Sequence, residues 1–157
     1  MKPVAFSLLF CTAICLAAEP VLAPNAPLDR PVEGRTAEMA EPDRAIAPYV
    51  AQAQATYPQV RERFLQGLPK GEHFFMTTRL RDDSGSVEQV FVLVQRIDGG
   101  QVSGRIASPI MRVRGFRNGD PYQFPESAMV DWLIAKPDGS EEGNVVGKFL
   151  DTYQRRK

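Results

Sequence analysis

From Glu72 to Ala107 the chain opens with a period of two, continues in β-branched and aromatic residues and is twice interrupted by turn residues, a pattern that few folds accommodate. In Glu72–Arg81, EHFFMTTRLR, residues Phe74, Met76, Thr78 and Leu80 fall on one face of a strand. His73, Phe75, Thr77, Arg79 and Arg81 fall on the other. Asp82-Asp83-Ser84-Gly85 has the composition of a turn. Val87–Ile97, VEQVFVLVQRI, carries β-branched and aromatic residues on both faces, which places it centrally in a sheet. Asp98-Gly99-Gly100 is a second hairpin signal, and Gln101–Ala107 supplies a third strand. Three consecutive strands joined by tight turns imply an antiparallel meander.

The flanks supply helices and further strands. Asp43 is placed to cap a helix whose apolar residues recur as Ile46, Tyr49, Val50 and Ala53. Pro48 lies near its first turn, where a missing N–H costs little. Pro58 interrupts the pattern, and a second helix or a kinked continuation then carries Val60, Phe64 and Leu65 to a stop at Gly67. Ser108–Asn118 shows no clear period. Gly119-Asp120 turns the chain, Tyr122–Phe124 reads as a short strand ended by Pro125, and Ala128–Ala135 reads as another. Pro137-Asp138-Gly139 closes that strand, Ser140–Asn144 reads as a loop, and Val145–Tyr153 as a short terminal helix. The expected class is α+β: a mainly antiparallel sheet with one or two N-terminal helices packed on one face and a short C-terminal helix, in a single domain over 42–153.

The first 41 residues read differently. Lys2 precedes the uncharged stretch Val4–Ala18, too short for a membrane span of about 20 residues and suited to a secretory signal peptide over 1–18. Phe10 before Cys11 and Ile14 before Cys15 do not suit lipidation. Residues 19–41, rich in Pro, Ala and Glu, read as a flexible tether. Cleavage after Ala18 removes both cysteines, which leaves no thiol, disulfide or Cys-ligated metal. It also removes Lys2, so 18 basic residues face 19 acidic ones and the net charge is −1. That balance gives no global attraction to nucleic acid or to an anionic membrane. The expected location is periplasmic or secreted, with no stable membrane insertion after cleavage.

No motif assembles a reaction. Asp131 sits among apolar neighbours in AMVDWLIA, so it is either a general acid or base, or an anchor for backbone N–H groups. The loop glutamates Glu141 and Glu142 are its candidate partners in acid–base chemistry, with His73, the one histidine, a further candidate. The Asp138–Asn144 oxygens lack the spacing of a calcium loop. No Gly-x-Ser-x-Gly and no phosphate-binding glycine loop occurs, and no cofactor or metal is expected. Arginine outnumbers lysine 14 to 5, and Arg79, Arg105, Arg112 and Arg114 are the candidate face for an anionic partner. The competing reading is a solvated sheet face on which arginines pair with Asp82, Asp83, Glu88 and Asp98. Trp132 is either core or a binding anchor.

Several ordered pieces resemble a bacterial family, domain of unknown function 2314, the YegJ-like proteins. They are Glu88-Gln89-Val90-Phe91; Val102-Ser103-Gly104-Arg105-Ile106 with Pro109 after it; Gly119-Asp120; Asp131-Trp132; and Gly143-Asn144 running into Val146-Gly147-Lys148-Phe149. The resemblance covers roughly Ala45–Asp151. Where the family often has His-x-Trp after the glutamate, this chain has Gln89 and Phe91. The resemblance implies a compact α+β domain and brings no activity or catalytic residue. The sequence therefore points to an exported, non-enzymatic binding module whose partner is a protein of the cell envelope. The alternatives are a small acid–base enzyme built on Asp131 and an immunity-like protein that binds a toxin.

Overall fold

The computed structural model describes residues 33–35 and 40–154. The element order is β1 (Glu33–Arg35), α1 (Ala40–Gln66), β2 (His73–Arg81), β3 (Ser86–Asp98), β4 (Gln101–Ile106), β5 (Pro121–Pro125), β6 (Asp131–Ala135), β7 (Glu141–Gly143) and α2 (Val145–Gln154). The fold is α+β. Every strand pairing is antiparallel, in the order β5-β4-β3-β2-β6-β7, and β1 pairs with β3.

The meander forms as the alternation predicts. Phe75 to Arg81 pair with Leu93 to Val87 across the first hairpin. Asp98 faces Gln101 across a two-residue loop in which Gly99 and Gly100 both have positive φ, 55° and 76°, the backbone of a tight primed turn. A bulge between Val94 and Arg96 shifts the register of β3. It brings Val94 and Ile97, three residues apart, into the same core while Gln95 and Arg96 stay exposed.

Helix α1 runs unbroken through Pro48 and Pro58, where the sequence leaves open a second helix. An interior proline costs about 3 kcal/mol. The helix offsets this by burying Tyr57 and Val60 and packing Phe64 against the sheet, each apolar side chain contributing roughly 1.5–3 kcal/mol. Both prolines are exposed, as are Arg44 and Gln54, whose carbonyls they leave without an N–H donor. At the far end Gly67 N–H closes the last turn on the Phe64 carbonyl at 3.1 Å.

One face of the sheet carries the main core. Phe74, Met76, Leu80, Val90, Val92, Trp132 and Ile134 meet Ala53, Tyr57 and Val60 of α1. Helix α2 lies on the same side, with Val146 and Leu150 against Ile46 and Val130, and Phe149 stacks on Tyr49 at 4.2 Å. The opposite face holds Phe75, Phe91, Leu133 and Ala135, also buried.

Two boundaries differ from the sequence reading. The stretch 19–41, expected as tether, contains β1 and the first residues of α1; the rest of it, and the export signal expected over 1–18, lie outside the described residues. Strand β1 forms because β3 extends past β4 and offers Ser86–Glu88 as a partner for Glu33–Arg35. The Ser140–Asn144 loop likewise contains β7, since Glu141–Gly143 pair with Ala135–Leu133.

Candidate binding site

The irregular segment 107–120, between β4 and β5, is built from beneath by buried polar groups. Glu88 stands on the helix-bearing face of β3, opposite Leu80, and is 0% exposed. A buried carboxylate is costly unless its oxygens are filled. Here Met111 and Arg112 N–H donate to it at 2.9 Å each and Val113 N–H at 3.1 Å. Such charge-assisted bonds are the stronger kind. Ser108 is also buried, and its hydroxyl accepts the Phe91 N–H at 2.8 Å.

The rest of the segment is held at its edges. Asp82 accepts Arg114 N–H at 2.9 Å while it also closes its own turn through Ser84 and Ser86. The Ser84 hydroxyl, with the Arg114 N–H behind it, lowers the Asp82 carboxyl to about 2. Asp120 accepts Arg117 N–H at 2.8 Å, and Arg105 Nη1 donates to the Gly119 carbonyl at 2.9 Å. Ile106 and Gly119 close the base through Ile106 N–H to Asp120 and Gly119 N–H to Ile106.

What this scaffold presents is mixed. Met111 is 70% exposed, and Arg112, Arg114 and Arg117 are exposed beside it. Inward, Val113 enters the core and Ile110 and Phe116 pack against it. An open cleft of about 480 Å³ lies at the flank, lined by Asp82, Asp83, Ser84, Arg114 and Gly115.

The residues picked from sequence separate into four places. Arg112 and Arg114 share the 107–120 segment. Arg79 is an exposed β2 residue paired with Asp43 at 2.6 Å. Arg105 is half-buried and spent on Gly119. Arg79 lies opposite Gln89 and Arg105 opposite Leu93, on strands flanking β3, so the four arginines do not form one patch. Asp131 and Trp132 are 1% and 6% exposed and belong to the interior.

Asp131 is an anchor. Its Oδ1 accepts Trp132 N–H at 2.8 Å and its Oδ2 accepts Val146 N–H at 2.7 Å, in the first turn of α2. Burial still dominates and raises its carboxyl to about 6, against the lowering effect of those N–H bonds. Trp132 Nε1 donates to the Ala53 carbonyl at 3.0 Å and to Thr56 Oγ1 at 3.1 Å, tying β6 to α1.

The paired-carboxylate reading does not assemble. Glu141 and Glu142 lie opposite Ala135 and Ile134, three or four residues along β6 from Asp131, or about 10–13 Å at strand spacing. Glu142 is engaged by Arg63 and Lys136, and Glu141 accepts from Asn144. His73 sits opposite Ala135, at the same distant end. The pairing of arginines with Asp82 and Glu88 is corrected too: both carboxylates serve backbone N–H groups, while Arg96 pairs with Asp98 as expected of a solvated face. Asp138 closes a turn through Ser140. Among the described residues no group of three or more His, Cys, Asp or Glu side chains is placed to hold a metal ion.

The sequence reading sets Glu88 among surface charges and gives Ser108 no role, so the buried anchoring function of both is missed there. Glu88 shares its β3 face with Val90 and Val92, the same apolar context that marks Asp131, and that signal was available in the sequence.

The geometry defines an α+β antiparallel-sheet domain whose carboxylates fasten backbone and whose longest irregular segment is pinned from below. A sequence model of the family described as "Uncharacterized protein conserved in bacteria (DUF2314)" matches residues 43–153, and the chain belongs to that family. Comparison with curated proteins and with solved structures finds no match.

Proposed function

We propose that this chain is an exported, non-enzymatic interaction module that offers the tip of segment 107–120 to a protein partner in the cell envelope. One observation carries the reading: Glu88 fixes three consecutive backbone N–H groups of a segment whose outer side chains are Met111, Arg112 and Arg114. Long irregular segments on a rigid scaffold are where binding residues concentrate. Fixing the backbone in advance lowers the ordering cost of association. Methionine and arginine are both enriched at protein interfaces. The partner surface that fits is apolar at its centre and acidic at its rim.

Export is supported by Lys2 and the uncharged run 4–18. Among the described residues no helix is long and apolar enough to cross a membrane. A toxin held by an immunity-like protein is one partner of the fitting kind. The test is in-cell crosslinking and capture with the parent chain and with Met111→Ser/Arg112→Glu/Arg114→Glu. Loss of one abundant partner in the triple variant, at unchanged thermal stability, supports the reading. Equal capture by both chains removes it.

A further inference from the structure

Strand β2 has a stretch of open edge. Asp82 N–H closes the first hairpin on the Ser86 carbonyl at 3.1 Å, so the even-numbered residues of β2 bond to β3 and the odd-numbered ones turn their backbone groups the other way. On that other side β6 pairs with β2 only from His73 to Thr77. The Thr77 carbonyl accepts a last bond from Val130 N–H at 2.8 Å. Before Val130 the chain leaves the sheet edge, and the Thr78 hydroxyl holds it by donating to the Ala128 carbonyl at 3.1 Å. The N–H and carbonyl of Arg79 therefore face outward, with no backbone partner on that side among the described residues.

The departure of that chain leaves a cleft. It holds about 320 Å³ between α1 and the open edge, lined by Val50, Gln54, Thr78, Arg79 and residues 127–130. That volume lies at the small end of the range for ligand sites, about 300–1,000 Å³. The wall is mixed. Val50, Met129 and Val130 are apolar, Ser127 is exposed, and Gln54 Nε2 reaches the Met129 carbonyl only at 3.5 Å. Arg79 gives the rim its cation. Its guanidinium meets Asp43 at 2.6 Å, but the two side chains are 38% and 36% exposed, and a pair of that kind contributes little. A competing carboxylate therefore displaces Asp43 at small cost.

We propose that this cleft binds a short extended peptide bearing a carboxylate, its main chain on the open edge at Arg79 and its carboxylate on the Arg79 guanidinium in place of Asp43. An added strand gains affinity from main-chain bonds, and pockets beside the edge select its side chains. One residue of peptide main chain satisfies both the N–H and the carbonyl of Arg79. The planar guanidinium matches a carboxylate through paired N–H groups. Val50 and Met129 offer contact to a small apolar side chain next to it. The proposal is independent of the contact role given to segment 107–120.

The test titrates the full chain with three synthetic peptides: acetyl-Ala-Val-Ala-Val with a free carboxylate, its carboxamide, and the carboxamide of acetyl-Ala-Val-Asp-Val. Backbone amide NMR shifts of Arg79 and of residues 127–130 report binding. The free acid, the aspartyl peptide or both are expected to move those signals and to bind about tenfold more tightly than the plain carboxamide. Binding of the free acid alone assigns the carboxylate to a chain end, and binding of the aspartyl peptide alone assigns it to a side chain. Two variants read the exchange with opposite signs. Arg79→Gln is expected to weaken the tightest peptide about tenfold, and Asp43→Asn, which releases Arg79, to strengthen it several-fold. A loosened fold would weaken binding in both variants, so the opposed changes identify the competition. The proposal is overturned if no peptide moves the Arg79 amide or if the plain carboxamide binds as tightly as the other two. It is also overturned if the two variants change the affinity in the same direction or not at all.

Discussion

The carboxylate of Glu88 accepts the backbone N–H of Val113 at 3.1 Å, in a place where the glutamate is fully buried and the valine enters the core. This bond and its two neighbours join the middle of the sheet to the segment that carries the exposed tip. Glu88→Gln keeps the shape but sets an NH2 group among three N–H donors. It is expected to lower stability by about 3 kcal/mol. Urea unfolding reads the loss, and amide exchange at residues 111–113 is expected to lose protection first.

Asp131 gives stability a pH dependence of unusual sign. Its carboxyl is raised from 3.8 to about 6 by burial. Between those values the folded chain holds a proton that the unfolded chain has released. Stability from this group is therefore present below pH 4 and lost as pH rises through 6, by on the order of 3 kcal/mol. Asp82, lowered to about 2 through Ser84 and Arg114, acts oppositely and only in more acid solution. The unfolding free energy of the parent minus that of Asp131→Asn is expected to fall from pH 4 to 6.5 and then stay level. A constant difference across that range contradicts the assignment.

Gly143 shows how closely β7 approaches Trp132. Its φ is 82°, and a Cβ there would meet the Trp132 carbonyl and stand 2.7 Å from two ring atoms. Gly143→Ala is expected to cost about 2–4 kcal/mol from backbone strain and overpacking. The measurement is the urea midpoint, with Trp132 fluorescence reporting the displaced ring.

Arg79 separates surface pairing from contact. Its bond to Asp43 joins two half-exposed side chains, and such pairs contribute little. Arg79→Glu is expected to change stability by less than about 1 kcal/mol and to leave partner capture unchanged. A loss of capture equal to that of the Arg112 and Arg114 changes would enlarge the contact surface to β2.

The legible part of this chain was the part written in periods. Alternation located β2, a run of β-branched and aromatic residues located β3, and Gly99-Gly100 located the turn into β4. The three-and-four spacing of Ile46, Tyr49, Val50 and Ala53 located α1. The unbroken passage through Pro58 was not legible, because it depends on how much sheet lies ready to receive Tyr57, Val60 and Phe64. Strands β1 and β7 were not legible either: three residues carry no period, and each forms only because a longer strand leaves an edge beside it. For the site, Asp131 was found by its apolar neighbours but its role depended on the N-terminus of α2 arriving within 2.7 Å. Segment 108–118 has no period because its order comes from Glu88 and Asp82, more than twenty residues earlier, and nothing within the segment records that.

The central claim is that the tip of segment 107–120 is the contact surface, and a photo-crosslinking residue in place of Met111 tests it most directly. Leu65, 49% exposed on α1, is the control position. The account predicts one dominant crosslinked protein from position 111, absent from position 65 and lost with Arg112→Glu/Arg114→Glu. The same crosslinks from both positions, or none from position 111 with the chain folded, would contradict it.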